Sequence, residues 1–236
     1  MSGDTRRLLT PEFRMSFPKL VTPEAFKEKG KAKGDPVYSV ECIIDPVNFP
    51  KFLESNAEGT AMVEVNVKDV LVQAAKAKWE GISVKEAVGK KELFWPIVDG
   101  NAHSAKLTAK AGGDKKDFSQ YKDKSVFRTG ANQEYPPVLS MVDKGVVVQF
   151  NRASDSDMAK AKQVFKGGNY GIAEVTVKAV ETPQGRYLKF YVNSIRMTRV
   201  GEPLGGGGGL MARYDGIKGG QSAHNPTDGM DDDIPY

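Results

Sequence analysis

The sequence predicts a mainly β body whose sheet bends toward a barrel, interrupted by a helical insertion and followed by a glycine-rich tail. Three observations carry this prediction. Alternation of apolar and polar residues marks 36–45 and 171–199, near the two ends of the body. The segment from about 50 to 90 is instead rich in Ala, Glu, Lys and Val, in runs too long for strands. From Gly201 the composition turns abruptly to glycine, unbroken at 205–209, with few apolar residues. Residues 1–200 therefore read as one domain and 201–236 as a flexible tail, whose 36 residues would reach on the order of 30 Å as a coil.

Taken in order, residues 13–17 read as a first strand. In 36–45, Val37, Ser39, Glu41 and Ile43 alternate with Tyr38, Val40, Cys42 and Ile44, the second set forming the buried face. The insertion reads as three helices, at 50–57, 61–79 and 83–88. In the second, Val63, Val67, Val70, Leu71, Ala74 and Ala75 recur at three- and four-residue steps. Ser83 and Glu86 form a capping pair for the third. Further strands are expected at 105–109, 125–129, 138–142 and 146–150. Two long arms, 171–180 and 186–199, flank Thr182-Pro183-Gln184-Gly185 as a hairpin. On the second arm the buried phase passes from Leu188, Phe190 and Val192 to Ile195 and Met197. Such a shift suggests a bulge near Asn193 and Ser194, a device that curves sheets into barrels.

Charge is distributed unevenly. The chain holds 34 Lys+Arg against 30 Asp+Glu, a net +4. Residues 201–236 hold two basic and six acidic groups, a net −4, which leaves the first 200 residues at +8. A basic body with an acidic tail is the charge plan of a polyanion binder. The longest apolar runs fall far short of a membrane span and no signal peptide opens the chain, so a cytoplasmic protein is expected, with no membrane partner. The single cysteine, Cys42, excludes an intramolecular disulfide and a multi-cysteine zinc site.

Catalytic chemistry finds no seat, and no cofactor is expected. The glycine run lacks the Gly-Lys-Ser/Thr end of a phosphate-binding loop. Asp155 and Asp157 sit beside Ser154 ahead of an Ala/Lys-rich stretch, the pattern of a helix cap; divalent-cation binding by the same acids is the alternative. His103 reads as a loop residue and Cys42 as strand packing.

Binding chemistry is richer. Lys27, Lys29, Lys31 and Lys33 form a basic loop between two strands, suited to several phosphates at once. Lys106, Lys110, Lys115 and Lys116 continue into Phe118, Tyr121, Lys122, Phe127 and Arg128, where rings and cations alternate. Rings stack on unpaired bases while lysines follow the backbone, which is how non-specific single-strand grooves work. On the last hairpin, Tyr187, Lys189 and Tyr191 share the face opposite Leu188 and Phe190, beside Lys178. The alternative for these rings is packing beneath the insertion. The terminus, Asp231, Asp232, Asp233, Ile234, Pro235 and Tyr236, joins three acids to an apolar-proline-aromatic end, a portable ligand for a basic pocket beside a hydrophobic one.

This terminus resembles the tip of bacterial single-stranded DNA-binding proteins, Asp-Asp-Asp-Ile-Pro-Phe, with Tyr236 in place of the phenylalanine. The body is similar to the replication single-stranded DNA-binding proteins encoded by phages. That likeness rests on 36–45, on Phe94-Trp95-Pro96-Ile97-Val98-Asp99-Gly100, on 121–128, and on Gly167-Gly168 leading into the final hairpin. It implies an OB-like five-stranded barrel that binds single-stranded DNA during phage replication, recombination or repair. It also implies a tip that recruits replication and repair proteins. Whether the chain also pairs with a second copy as a homodimer stays open. The rival function is an adaptor that engages host replication enzymes through the tip without binding DNA; a metal-dependent nuclease using Asp155 and Asp157 is a third.

Overall fold

The computed structural model describes residues 6–28, 31–56, 58–110 and 118–204. In chain order the elements are β1 (Arg6–Leu9), β2 (Phe13–Glu28), β3 (Lys31–Ile44), β4 (Lys51–Ser55), β5 (Met62–Asn66), α1 (Val67–Lys78) and α2 (Val84–Gly89). There follow β6 (Leu93–Phe94), β7 (Ile97–Asp99), α3 (Gly100–Lys110), a 3-10 turn at Ser119–Tyr121, β8 (Ser125–Asn132), β9 (Val138–Asp143) and β10 (Val146–Gln149). The last elements are α4 (Asp155–Val164), β11 (Tyr170–Thr182) and β12 (Gly185–Arg199). No described helix is long and apolar enough to cross a membrane.

Five strands close into a ring in the order β2, β3, β8, β12, β11 and back to β2. Numbered along the chain, the ring runs 1-2-3-5-4. Its pairings are antiparallel except β8 with β12, where Phe190 and Tyr191 lie beside Thr129 and Gly130 in parallel. This is the expected OB-like five-stranded barrel. The sheet also extends past the ring, through β9 and β10 from β12 and through β1, β4 and β5 from β11. The predicted bulge is present: the β11–β12 register shifts between Glu174 and Val175, where Ser194 and Val192 stand opposite. Asn193 is the extra residue, and its amide is tied to Glu174 and Thr176. The phase change from Val192 to Ile195 follows from it, and both are buried.

Tyr38, Val40, Cys42 and Ile44 line the core as expected. Across it, Phe127 meets Phe190 edge-to-face at 5.0 Å and Phe13 at 6.3 Å. Phe52 enters from β4, outside the ring, and packs on Phe127 at 5.8 Å and Phe190 at 6.1 Å. One ring from the insertion thus plugs the barrel.

The first half of the insertion departs from its helical reading. Residues 50–57 hold β4, because Phe52 alone turns inward while Lys51 and Leu53 turn outward, and pairing with β1 and β5 satisfies the backbone. Residues 62–66 form β5, in keeping with β-branched Val63 and Val65, and the helix starts only at Val67. Asn66 caps it by accepting from the Lys68 N–H at 3.0 Å. The third helix forms one residue along, at Val84–Gly89; Ser83 holds its N-cap position, but its side chain makes no capping hydrogen bond, so the capping pair read there is corrected. Residues 105–109 are also not a strand: they lie in α3, which sets His103 and Leu107 on one face, four residues apart, over the outer side of the barrel. Gly100 begins that helix where a Cβ would lie 2.0 Å from the Tyr121 carbonyl oxygen. At α4, Ser154 caps through its Oγ and Asp157 accepts from the Asn151 N–H, the capping reading of that acidic pair. Past β12, Gly201 donates to Asn169 at 3.0 Å, so the described chain stays against the body as far as Leu204, beyond the change in composition.

Replacing Phe52 with Ala empties the barrel plug without touching its outer face. A loss of about 3–5 kcal/mol in urea unfolding is expected; a loss under about 1 kcal/mol would show that the insertion only rests against the barrel.

Candidate nucleic-acid interface

The basic and aromatic residues singled out in the sequence fall into three groups. The first is the β2–β3 hairpin. Its strands continue through Lys27 and resume at Lys31 and Lys33, with Lys27 opposite Ala32 and Phe26 opposite Lys33, so the expected basic loop is largely paired backbone. Lys29 lies outside the described residues.

The second group splits. Tyr121 is wholly buried and Phe127 is 1% exposed, so neither offers a ring to a base, and both readings are corrected. Phe127 sits opposite Cys42 and faces the core. Tyr121 is sealed because α3 and the 3-10 turn form a second small core against Ile43 and Val126. Phe118 packs half-buried on the same cluster. Lys106, Lys110 and Lys122 are exposed around it, while Lys115 and Lys116 lie outside the described residues.

Beneath α3 lies a polar network that the sequence did not announce. Glu41, at an outward strand position, is buried by the helix. Its Oε2 accepts from the Tyr121 hydroxyl at 2.7 Å and from His103 Nε2 at 3.3 Å, and its Oε1 accepts from Arg128 Nε at 2.7 Å. Tyr121 donates to Glu41, so Ser16 Oγ, 2.7 Å away, donates to Tyr121. His103 is therefore a buried helix residue, not a loop residue, and Arg128 is engaged by a carboxylate. Burial pushes the Glu41 carboxyl up, but the His103 hydrogen bond, the Arg128 and His103 charges and the Tyr121 hydroxyl outweigh it and hold it at about 2.

The third group assembles as read. On β12, Leu188, Phe190 and Val192 are buried, so Tyr187, Lys189 and Tyr191 alternate outward, about 7 Å between successive members. Lys178 of β11 stands directly opposite Lys189. Each ammonium lies over a ring, Lys178 5.1 Å from the centroid of Tyr191 and Lys189 5.1 Å from that of Tyr187. Neither forms an ion pair with any described carboxylate. Burial pushes the Tyr191 hydroxyl up, which keeps the ring neutral. Beside Tyr191 on β8 is Gly130, and beside Gly130 on β3 is Ser39. A Cβ on Gly130 would lie 2.8 Å from the Tyr38 carbonyl oxygen, so the strip next to Tyr191 carries no side chain there. Sequence reading noted Phe94 only within the segment 94–100 and did not place it in this strip, where it stacks on Tyr187 at 4.5 Å and 9°. It missed Arg186, whose guanidinium lies 5.7 Å from the Trp79 ring at the hairpin end. The acidic tip, Asp231 to Tyr236, lies outside the described residues.

The family model described as the single-stranded DNA-binding protein of Enterobacter phage Enc34 matches residues 6–222. Among solved structures, the chain resembles the single-stranded DNA-binding protein from bacteriophage Enc34 in complex with single-stranded DNA. The TM-score is 0.54 at 15% identity, covering 86% of this chain and 94% of that one. A second structure of the single-stranded DNA-binding protein from bacteriophage Enc34 matches with a TM-score of 0.53 at 16% identity, covering 88% of this chain and 92% of that one. No curated protein matches the chain in sequence.

Because the Glu41 carboxyl is held low in the folded state, its contribution to stability is full above its ordinary value of 4.5 and is lost as pH falls toward about 2. Urea midpoints of the native chain should therefore drop between these pH values more steeply than those of Glu41→Gln. Parallel pH profiles would show that the network does not hold Glu41 ionised.

Proposed function

The chain belongs to the family of the Enterobacter phage Enc34 single-stranded DNA-binding protein, and we propose that it binds and protects single-stranded DNA without sequence preference, on the outer face of β12 with its neighbours β11 and β8. The carrying observation is the pair Lys178 and Lys189. Two like charges directly across an antiparallel ladder destabilise it, and here no described carboxylate relieves them. Phosphates would. The tyrosines beneath them supply flat faces for bases of any identity, and Gly130 leaves room for a strand to lie close. Stacking plus backbone neutralisation requires no catalytic group, which makes this a binding protein rather than an enzyme.

The setting we infer is phage genome replication, with recombination and repair as related uses, in the cytoplasm of the bacterial host. The acidic tip, Asp231 to Tyr236, is proposed to recruit replication proteins. With a net −4 against +8, residues 201–236 also screen the body from unproductive encounters.

Oligo-dT binding by the full chain should fall steeply with salt. Replacing both Lys178 and Lys189 with Ala should lower the slope of log K against log salt by about 0.7 for each phosphate no longer neutralised. Equal affinity for duplex and single strand, or an unchanged slope in the double variant, would contradict the reading. Removing residues 230–236 should preserve or tighten oligo-dT affinity, measured by fluorescence quenching, while abolishing capture of replication proteins. Weaker DNA binding after removal would contradict the role given to the tip.

A further inference from the structure

We infer that Phe94 is a base-stacking plate at the hairpin end of this strip, with Tyr187 as its backing; the inference rests on the single-stranded DNA reading above. Leu93 and Phe94 form β6, which runs parallel to Arg186 and Tyr187 of β12. Partners across a ladder share a face. Leu93 therefore turns in with the phase of Leu188 and is buried, while Phe94 turns out beside Tyr187 and is 43% exposed. Buried Leu93 anchors this two-residue strand, and the ring-on-ring stack at 4.5 Å sets the Phe94 ring against Tyr187.

The two rings are unequal in what they leave free. Tyr187 carries Phe94 on one face and has the Lys189 ammonium 5.1 Å from its centroid. Among the described residues no ring other than Tyr187 stacks on Phe94. A base arriving from solvent thus extends the pair by stacking on Phe94, without displacing a lysine from a ring. The turn is shaped for this. Gly185 has φ +135°, and a Cβ there would stand 3.1 Å from Phe94 Cε2, so the hairpin passes the edge of the ring with glycine alone. From Phe94 the strip continues through Tyr187, Lys189 and Tyr191 to Gly130, so the plate ends a line of binding groups that the family likeness alone does not assign to particular rings.

The test compares full-length Phe94→Ala, Phe94→Leu and Phe94→Trp with the native chain in oligo-dT titrations across salt concentrations. If Phe94 stacks on a base, Ala and Leu each weaken binding by about 5- to 150-fold, Trp restores it, and the salt slope stays unchanged because every neutralised phosphate stays neutralised. Native-like affinity in both Ala and Leu, while the native chain binds oligo-dT, overturns the inference and leaves the DNA reading standing. A loss in Ala that Leu repairs also overturns it, since Leu covers Tyr187 without offering a flat face. If the native chain itself does not bind oligo-dT, the DNA reading fails and this inference fails with it.

Discussion

Closure of the barrel by one strand governs the rest of the structure. β12 is held on one side by β11 along its length and on the other by β8 through Phe190 and Tyr191, with Thr129 Oγ1 donating to the Phe190 carbonyl at 3.0 Å. Once Leu188, Phe190 and Val192 fill the interior with Phe52 and Phe127, the period of two leaves Tyr187, Lys189 and Tyr191 no direction but outward. The strip proposed to bind DNA is thus the other side of the core. A slip of one residue would bury two tyrosines and a lysine and expose the residues that meet the plug, so packing inside fixes the register of the surface.

The outer face of the barrel is put to two different uses. Over Ile43 and Val126 it is roofed by α3 and the 3-10 turn, and an ionised Glu41 beneath the roof gathers His103, Tyr121 and Arg128. Removing one partner from such a network leaves a charge buried without its counterpart, which makes the roof a fixed part of the fold. Along β12 and the neighbouring part of β8 the face is open, and its cations lie over rings instead of pairing with acids. β8 takes part in both uses, with Arg128 in the roofed network and Gly130 beside the strip.

Much of this was legible in the alternation of residues. The buried phase of 38–44, the long hairpin, its bulge at Asn193 and the outward set Tyr187, Lys189 and Tyr191 all follow from a period of two read along single strands. What alternation cannot report is a cover contributed from elsewhere in the chain. Glu41 holds an outward position yet is buried, and Tyr121 lies among lysines yet is sealed, because α3 roofs both. Phe127 read as part of a basic, aromatic run, whereas its strand pairing with Cys42 turns it to the core. Phe52 sits where Lys51 and Glu54 suggest a solvated helix, although one inward residue in a strand suffices to plug a barrel. Phe94 stood out only as part of the segment 94–100, not as a ring beside the strip, because its neighbour, Tyr187, is 93 positions away and only the β6–β12 pairing brings them together. Asn66, by contrast, is a local cap that could have set the start of α1 from sequence alone.

The central claim is that the solvent side of β12 is where single-stranded DNA lies. Amide hydrogen exchange on the full chain, with and without saturating oligo-dT, tests this most directly. Protection is expected in peptides covering 185–192, 93–95 and 128–132, with none added across β9 and β10. Protection confined to β9 and β10, or absent from 185–192 while DNA is bound, would contradict it.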